Sequence, residues 1–149
     1  MTQRLDPYTA APAGMKAFGG VHAYLAQSDL HGPLLDLVFL RASQLNGCAY
    51  CIDMHSRDLL KSGLSVDKLV LVPGWREAGA LFTDREQAAL RWTETVTQVA
   101  QTYIPDEEFE SVRQHFSEKE VADLTIAIGL MNAYNRVGVG FRLVPAAAQ

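Results

Sequence analysis

Leu34-Leu-Asp36-Leu-Val-Phe-Leu-Arg41-Ala-Ser-Gln-Leu-Asn46-Gly47-Cys48-Ala-Tyr50-Cys51-Ile-Asp-Met-His55 is the stretch from which the rest of the chain can be read. Leu34, Leu35, Val38, Ala42 and Leu45 keep a 3.6-residue period, which predicts a helix over 34–45. Pro33, just before it, suits a first helical turn. Asn46-Gly47 ends the helix, because both residues accept the left-handed conformation of a C-cap. A second helix is predicted from Cys48 to Lys61, with Cys51, Ile52, His55, Leu59 and also Leu60 inward, until Gly63 stops it. Along it Cys48, Cys51 and His55 stand at C-x-x-C-x-x-x-H spacing. Residues three and four apart are neighbours on a helix, so the three side chains share one stripe. Two thiols one turn apart can close a small disulfide, and an imidazole one turn on can handle a thiol proton.

Working outward, the pattern stays helical. A loose opening holds Pro7, Pro12 and Gly19-Gly20, and a short helix is expected over 21–27. Ser65 with Asp67 caps a helix through Val72, closed by Pro73-Gly74. Capping boxes at Thr83-Asp-Arg-Glu86 and Ser117-Glu-Lys-Glu120 open two more. The first carries Ala89, Trp92, Thr93, Val96, Val99 and Tyr103; the second carries Val121, Leu124, Ile128, Met131 and Asn135. Between them a shorter helix starts at Pro105-Asp106 and runs to about His115. The one rival strand, 37–40, is short and lies inside a helical pattern. The tail, 144–149, lacks anchors and is expected to fray. The reading is an all-α, single-domain bundle of about six or seven helices over 1–149.

Composition narrows the class. The chain has 149 residues, 48% hydrophobic and 20% charged, which is ordinary globular usage. A net charge of −4 argues against nucleic acid, whose phosphates need a basic face. No apolar run reaches the 18 residues of a membrane span. Residues 1–20 hold no basic stretch followed by an apolar core, so a secretory leader is not expected. The expected compartment is the cytoplasm, where thiols stay reduced, and a lone cysteine pair there reads as catalytic or metal-binding.

Several cysteine chemistries can be weighed. Covalent haem attachment needs C-x-x-C-H, and Ile52 follows Cys51. An iron–sulfur cluster needs more thiolates than two. A thioredoxin-like site needs a strand-to-helix turn, and these flanks are helical. Zinc could draw on Cys48, Cys51 and His55, with Asp36 or His31 as a fourth ligand. Three ligands on one stripe converge poorly on a tetrahedral centre, so neither a metal nor another cofactor is expected. For a redox pair, the helix start favours thiolate at Cys48. The spacing to His55 favours Cys51 instead, and both assignments stand on the residues alone.

The run from Arg41 to Ser56 resembles the core motif of the carboxymuconolactone decarboxylase superfamily, in its alkyl hydroperoxidase D-like branch. Trp75-Arg-Glu77 and the stretch from Asp123 to Arg136 are similar to further parts of that pattern. The resemblance implies an all-helical fold assembling as a homo-trimer or homo-hexamer. It also implies reduction of a hydroperoxide substrate at the expense of a dithiol or disulfide-reductase donor. Cys51 would then be the peroxidatic residue, Cys48 the resolving residue and proton donor, and His55 the relay base. The family relay carries a glutamate twelve residues before the first cysteine; Asp36 holds that position, one methylene shorter, with room for a bridging water. Tyr50, Glu77 and Glu86 are further relay candidates. Their plain alternatives are packing, a solvated charge and the Thr83 capping box. Gln44 and Asn46 are expected to serve the helix junction, and Asn132 and Asn135 to tie helices together. His22, His31 and His115 read as surface or capping residues. Rival functions are a non-enzymatic redox sensor, a metal-binding oligomer, and a lactone decarboxylase, which has no need of a C-x-x-C pair.

Overall fold

The computed structural model describes residues 2–30 and 32–148. Nine α-helices and three 3-10 turns account for the described residues, with no strand among them. The helices are α1 (Pro7–Ala10), α2 (Pro12–Ala26), α3 (Pro33–Asn46), α4 (Ala49–Lys61), α5 (Val66–Val70), α6 (Asp84–Thr97), α7 (Val99–Thr102), α8 (Asp106–Arg113) and α9 (Glu118–Phe141). No helix is long and apolar enough to cross a membrane.

The centre is α3, which packs against α4, α6 and α9. Leu37, Val38, Phe39 and Leu40 are all essentially inaccessible, so α3 is surrounded on every side. That enclosure explains why these four apolar residues imitate a strand. Val38 joins Trp92, Leu124 and Ile128 in one core cluster. Leu37 and Leu40 join Leu59, Trp75 and Phe82 in a second. Phe39 and Ala42 join Cys48, Cys51, Ala127 and Met131 in a third, which places the thiol pair inside the core.

The helix ends follow local chemistry. Gly47, at φ 67°, caps α3 in the left-handed region. Both capping boxes form, each with reciprocal bonds between the N-cap side chain and the glutamate three residues on. Between α7 and α8 the chain turns through two consecutive left-handed residues, Tyr103 (φ 52°) and Ile104 (φ 48°).

Four regions depart from the sequence expectation. The opening is helical from Pro7, because Asp6 caps α1 and both prolines occupy first-turn positions where their fixed φ helps. Helix α2 runs through Gly19-Gly20, each glycine costing about 1 kcal/mol, offset by burying Met15 and Leu25 and by Phe18 packing on Tyr134. The helix expected to reach Tyr103 breaks at Gln98, and α7 is a separate turn. The tail is anchored: Ala147 N–H donates to Asp53 Oδ2 on α4 at 3.1 Å.

Candidate active site around the Cys48–Cys51 bond

Cys48 is the N-cap of α4, and its sulfur accepts the Cys51 backbone N–H at 3.4 Å. The two sulfurs are bonded to each other, with Cα atoms 5.3 Å apart. Cys48 is 1% exposed and Cys51 3%, so the pair is reached only through adjoining cavities. One, of about 250 Å³, is walled by Cys51, His55, Tyr50, Tyr8, Tyr134, His22 and methionines 15, 54 and 131. A second, of about 440 Å³, touches Cys48, Tyr50 and Gly138 and is bordered by residues 142–145 and Ala148. Cys51 thus borders one cavity and Cys48 the other.

Helix α9 lies directly against the sulfurs, and Gly138 makes this possible. A Cβ at that position would stand 2.7 Å from Cys48 Sγ and 3.4 Å from Cys51 Sγ. The backbone there is ordinary helix, so what glycine supplies is room. A polar clamp fixes α9 on α3 one turn earlier. Asn46 Nδ2 donates to Asn132 Oδ1 at 3.1 Å and to Asn135 Oδ1 at 2.9 Å, and Asn135 Nδ2 donates to Ser43 Oγ at 3.0 Å. Gln44 accepts from Arg41 at 3.3 Å. The expected tying roles of Asn46, Asn132 and Asn135 are what the structure shows, whereas the bond of Gln44 stays within α3.

His55 is 2% exposed, and neither ring nitrogen has a hydrogen-bond partner. Burial, reinforced by the charge of His22, holds its pKa down to about 4, so the ring is neutral at pH 7. Its Nδ1 stands 3.9 Å from Asp36 Oδ1, too far for a direct hydrogen bond. Asp36 is half-buried, and its carboxyl is raised above the usual range by burial first and by the nearby Asp58 charge second. Phe39 packs against the His55 ring at 5.2 Å.

The structure thus brings together Cys48, Cys51, Tyr50, His55 and Asp36, and sets two other named residues elsewhere. Glu86 is engaged by Lys68 at 2.7 Å and by the Thr83 backbone at 2.8 Å. Glu77 is exposed at the end of the 3-10 stretch Val72–Glu77 and lines neither cavity. Trp75 and Arg76 from that stretch hold Glu94 together with Arg41; burial would raise the Glu94 carboxyl, and these donors outweigh it. His22 is exposed yet borders the Cys51 cavity and stacks over Phe39 at 5.7 Å. Sequence reasoning passed over Gly138, Tyr8, Met15 and Tyr134. Met15, Phe18, His22 and Leu25 do keep a helical spacing, but Gly19-Gly20 reads as a break. His31, named as a candidate zinc ligand, lies outside the described residues.

Residues 10–95 match the model of the carboxymuconolactone decarboxylase family. The uncharacterized protein YdfG of Bacillus subtilis is 35% identical over 139 residues, covering 93% of this chain and 94% of that protein. A crystal structure from Agrobacterium tumefaciens, of a protein of unknown function offered as a candidate antioxidant defence protein AhpD, superposes with a TM-score of 0.92. It is 40% identical, over 97% of this chain and 98% of that one. The debrominase Bmp8 superposes with a TM-score of 0.79 at 19% identity, over 94% of this chain and 75% of that one. That last similarity is one of fold alone.

Proposed function

The chain belongs to the carboxymuconolactone decarboxylase family, in its alkyl hydroperoxidase D-like branch, and from that premise we propose that it is a dithiol-dependent thiol peroxidase. The observation that carries the reading is the bonded Cys48–Cys51 pair, with Cys51 on a cavity wall beside a buried, neutral His55.

In the reduced protein, His55 accepts the Cys51 proton, and the Cys51 thiolate attacks the terminal oxygen of a hydroperoxide. The O–O bond breaks, Cys51 becomes the sulfenic acid, and the alkoxide leaves as the alcohol with the proton His55 took up. A depressed imidazole pKa favours that return step and opposes the uptake, so the imidazolium is a short-lived carrier of the proton. Cys48 then attacks the Cys51 sulfur, water departs, and the disulfide forms. A dithiol donor reduces the disulfide by exchange, its own two thiols ending as a disulfide. Asp36, 3.9 Å from His55 Nδ1, would orient the ring through a bridging water. The cavity arrangement supports peroxide entry at Cys51 and donor entry at Cys48. Tyr50, which borders both, is proposed to shape the approach rather than move protons. We place the protein in the cytoplasm as a homo-trimer or homo-hexamer, to be checked by sedimentation.

The deciding experiment is peroxide-dependent oxidation of a dithiol by the wild type and by Cys51→Ser. Turnover by the wild type and its loss in the variant is the expected result. Equal rates would overturn the assignment.

A further inference from the structure

His55 is more than nine-tenths buried with both ring nitrogens unpartnered, and its Nδ1 is turned toward Asp36. Asp58, one turn further along α4, completes a group of three. One ligand atom from each of Asp36, His55 and Asp58 lies within 4.8 Å of the other two. Two carboxylates this close repel each other, and the described ion pairs give neither a lysine or arginine. A buried imidazole without a hydrogen-bond partner, beside two carboxylates that no lysine or arginine pairs among the described residues, is a donor set that matches a cation.

We infer that Asp36, His55 and Asp58 bind a divalent transition-metal ion, zinc by the chemistry of the donors, and that the ion switches off proton transfer through His55. The switch, though not the binding, rests on the thiol-peroxidase reading above. One imidazole nitrogen and two carboxylate oxygens form a three-ligand zinc site with an open position. Asp58 is exposed, so rotation of its side chain can draw the group to the ~2.0–2.2 Å that zinc requires. Zinc takes its electron pairs from His55 and Asp36, two residues of the relay, and from Asp58. With Nδ1 on the metal, the remaining proton stays on Nε2, and the ring cannot accept another. Ion and relay exclude each other through the tautomer of one ring, with no change of oxidation state.

Calorimetric titration of zinc chloride into the disulfide form, where no thiol is free, is expected to show one ion per chain. Asp58→Asn is expected to weaken binding at least ~10-fold, with its circular dichroism unchanged. In single-turnover oxidation of the pre-reduced protein by peroxide, with the donor removed, zinc should slow the wild type and a chelator should restore it. Asp58→Asn should react at its own zinc-free rate whether or not zinc is present. No saturable binding to the disulfide form, or undiminished binding by Asp58→Asn, overturns the site. Equal inhibition of both proteins overturns the switch, because the thiols are then the target. A wild type inert to peroxide sinks the peroxidase reading and the switch together, while the titration still decides the site.

Discussion

Gly138 shows how a single missing carbon can govern the chemistry of two others. An added methyl group would meet Cys48 Sγ at 2.7 Å, and the bonded sulfur cannot rotate aside as a free thiol can. Gly138→Ala should therefore penalise the disulfide more than the dithiol. Overpacking of this kind costs ~1–3 kcal/mol, a factor on the order of 10–100 in the dithiol–disulfide equilibrium. Titration in redox buffers should show the variant's midpoint moved toward the reduced form; an unmoved midpoint would contradict the steric account.

His55 carries a pH signature of its own. Its pKa in the folded protein is about 4 against an ordinary 6.5, burial being the larger cause and His22 the smaller. Between those values the unfolded chain binds a proton that the folded chain refuses, so stability falls as pH drops. The loss is about 2 kcal/mol by pH 5 and about 3 kcal/mol in full. Asp36, raised by burial and by Asp58, acts in the opposite sense, adding stability as pH falls through its own titration. Urea unfolding at pH 7 and pH 5 should show a net loss in the wild type and a much flatter response in His55→Leu.

At the scale of elements, the junction of α3 with α9 depends on amides rather than apolar packing alone. Asn135 accepts from Asn46 and donates to Ser43 while 1% exposed. Asn135→Ala would leave the buried Ser43 and the half-buried Asn46 each short of a bond, at ~1–3 kcal/mol. For a chain of this length the melting temperature should fall by about 3–10 °C. A melting curve matching the wild type would show that water replaces the clamp.

The same scale shows what the residues revealed in advance. Caps and period located α3, α4, α6, α8 and α9, since those signals are local. The thiol–imidazole stripe was equally legible, being a matter of spacing on one helix. Gly138 was not, because its role depends on a helix about ninety residues away in sequence approaching the sulfurs. Helix α2 was hidden by Gly19-Gly20, a local weakness that the buried Met15 and Leu25 override. Tertiary contact decided both cases, and a single chain read in order carries little trace of it.

For the whole molecule, the bond between Cys48 and Cys51 closes a very small loop. On chain-entropy grounds a loop this short stabilises by only ~2 kcal/mol. Reduction should thus lower the melting temperature by only a few degrees and leave the helical signal intact. A collapse of helicity on reduction would mean that the bond is a structural staple, not a cycling group.

Helix α9 gives the bundle a mechanical property. It is one uninterrupted rod of 24 residues, seated by Trp92 Nε1 on Thr125 at one level and by the asparagine clamp at another, before it reaches the sulfurs at Gly138. From Thr125 to Gly138 the rod spans about 20 Å. A rigid rod converts a small tilt at its seat into a displacement at its tip, and the tip rests on Cys48. The alkylation rate of the reduced pair is therefore a gauge of the far end of the bundle. A packing fault beneath Trp92, about two nanometres along the rod from Gly138, would register as a change in thiol reactivity before the fold itself gives way.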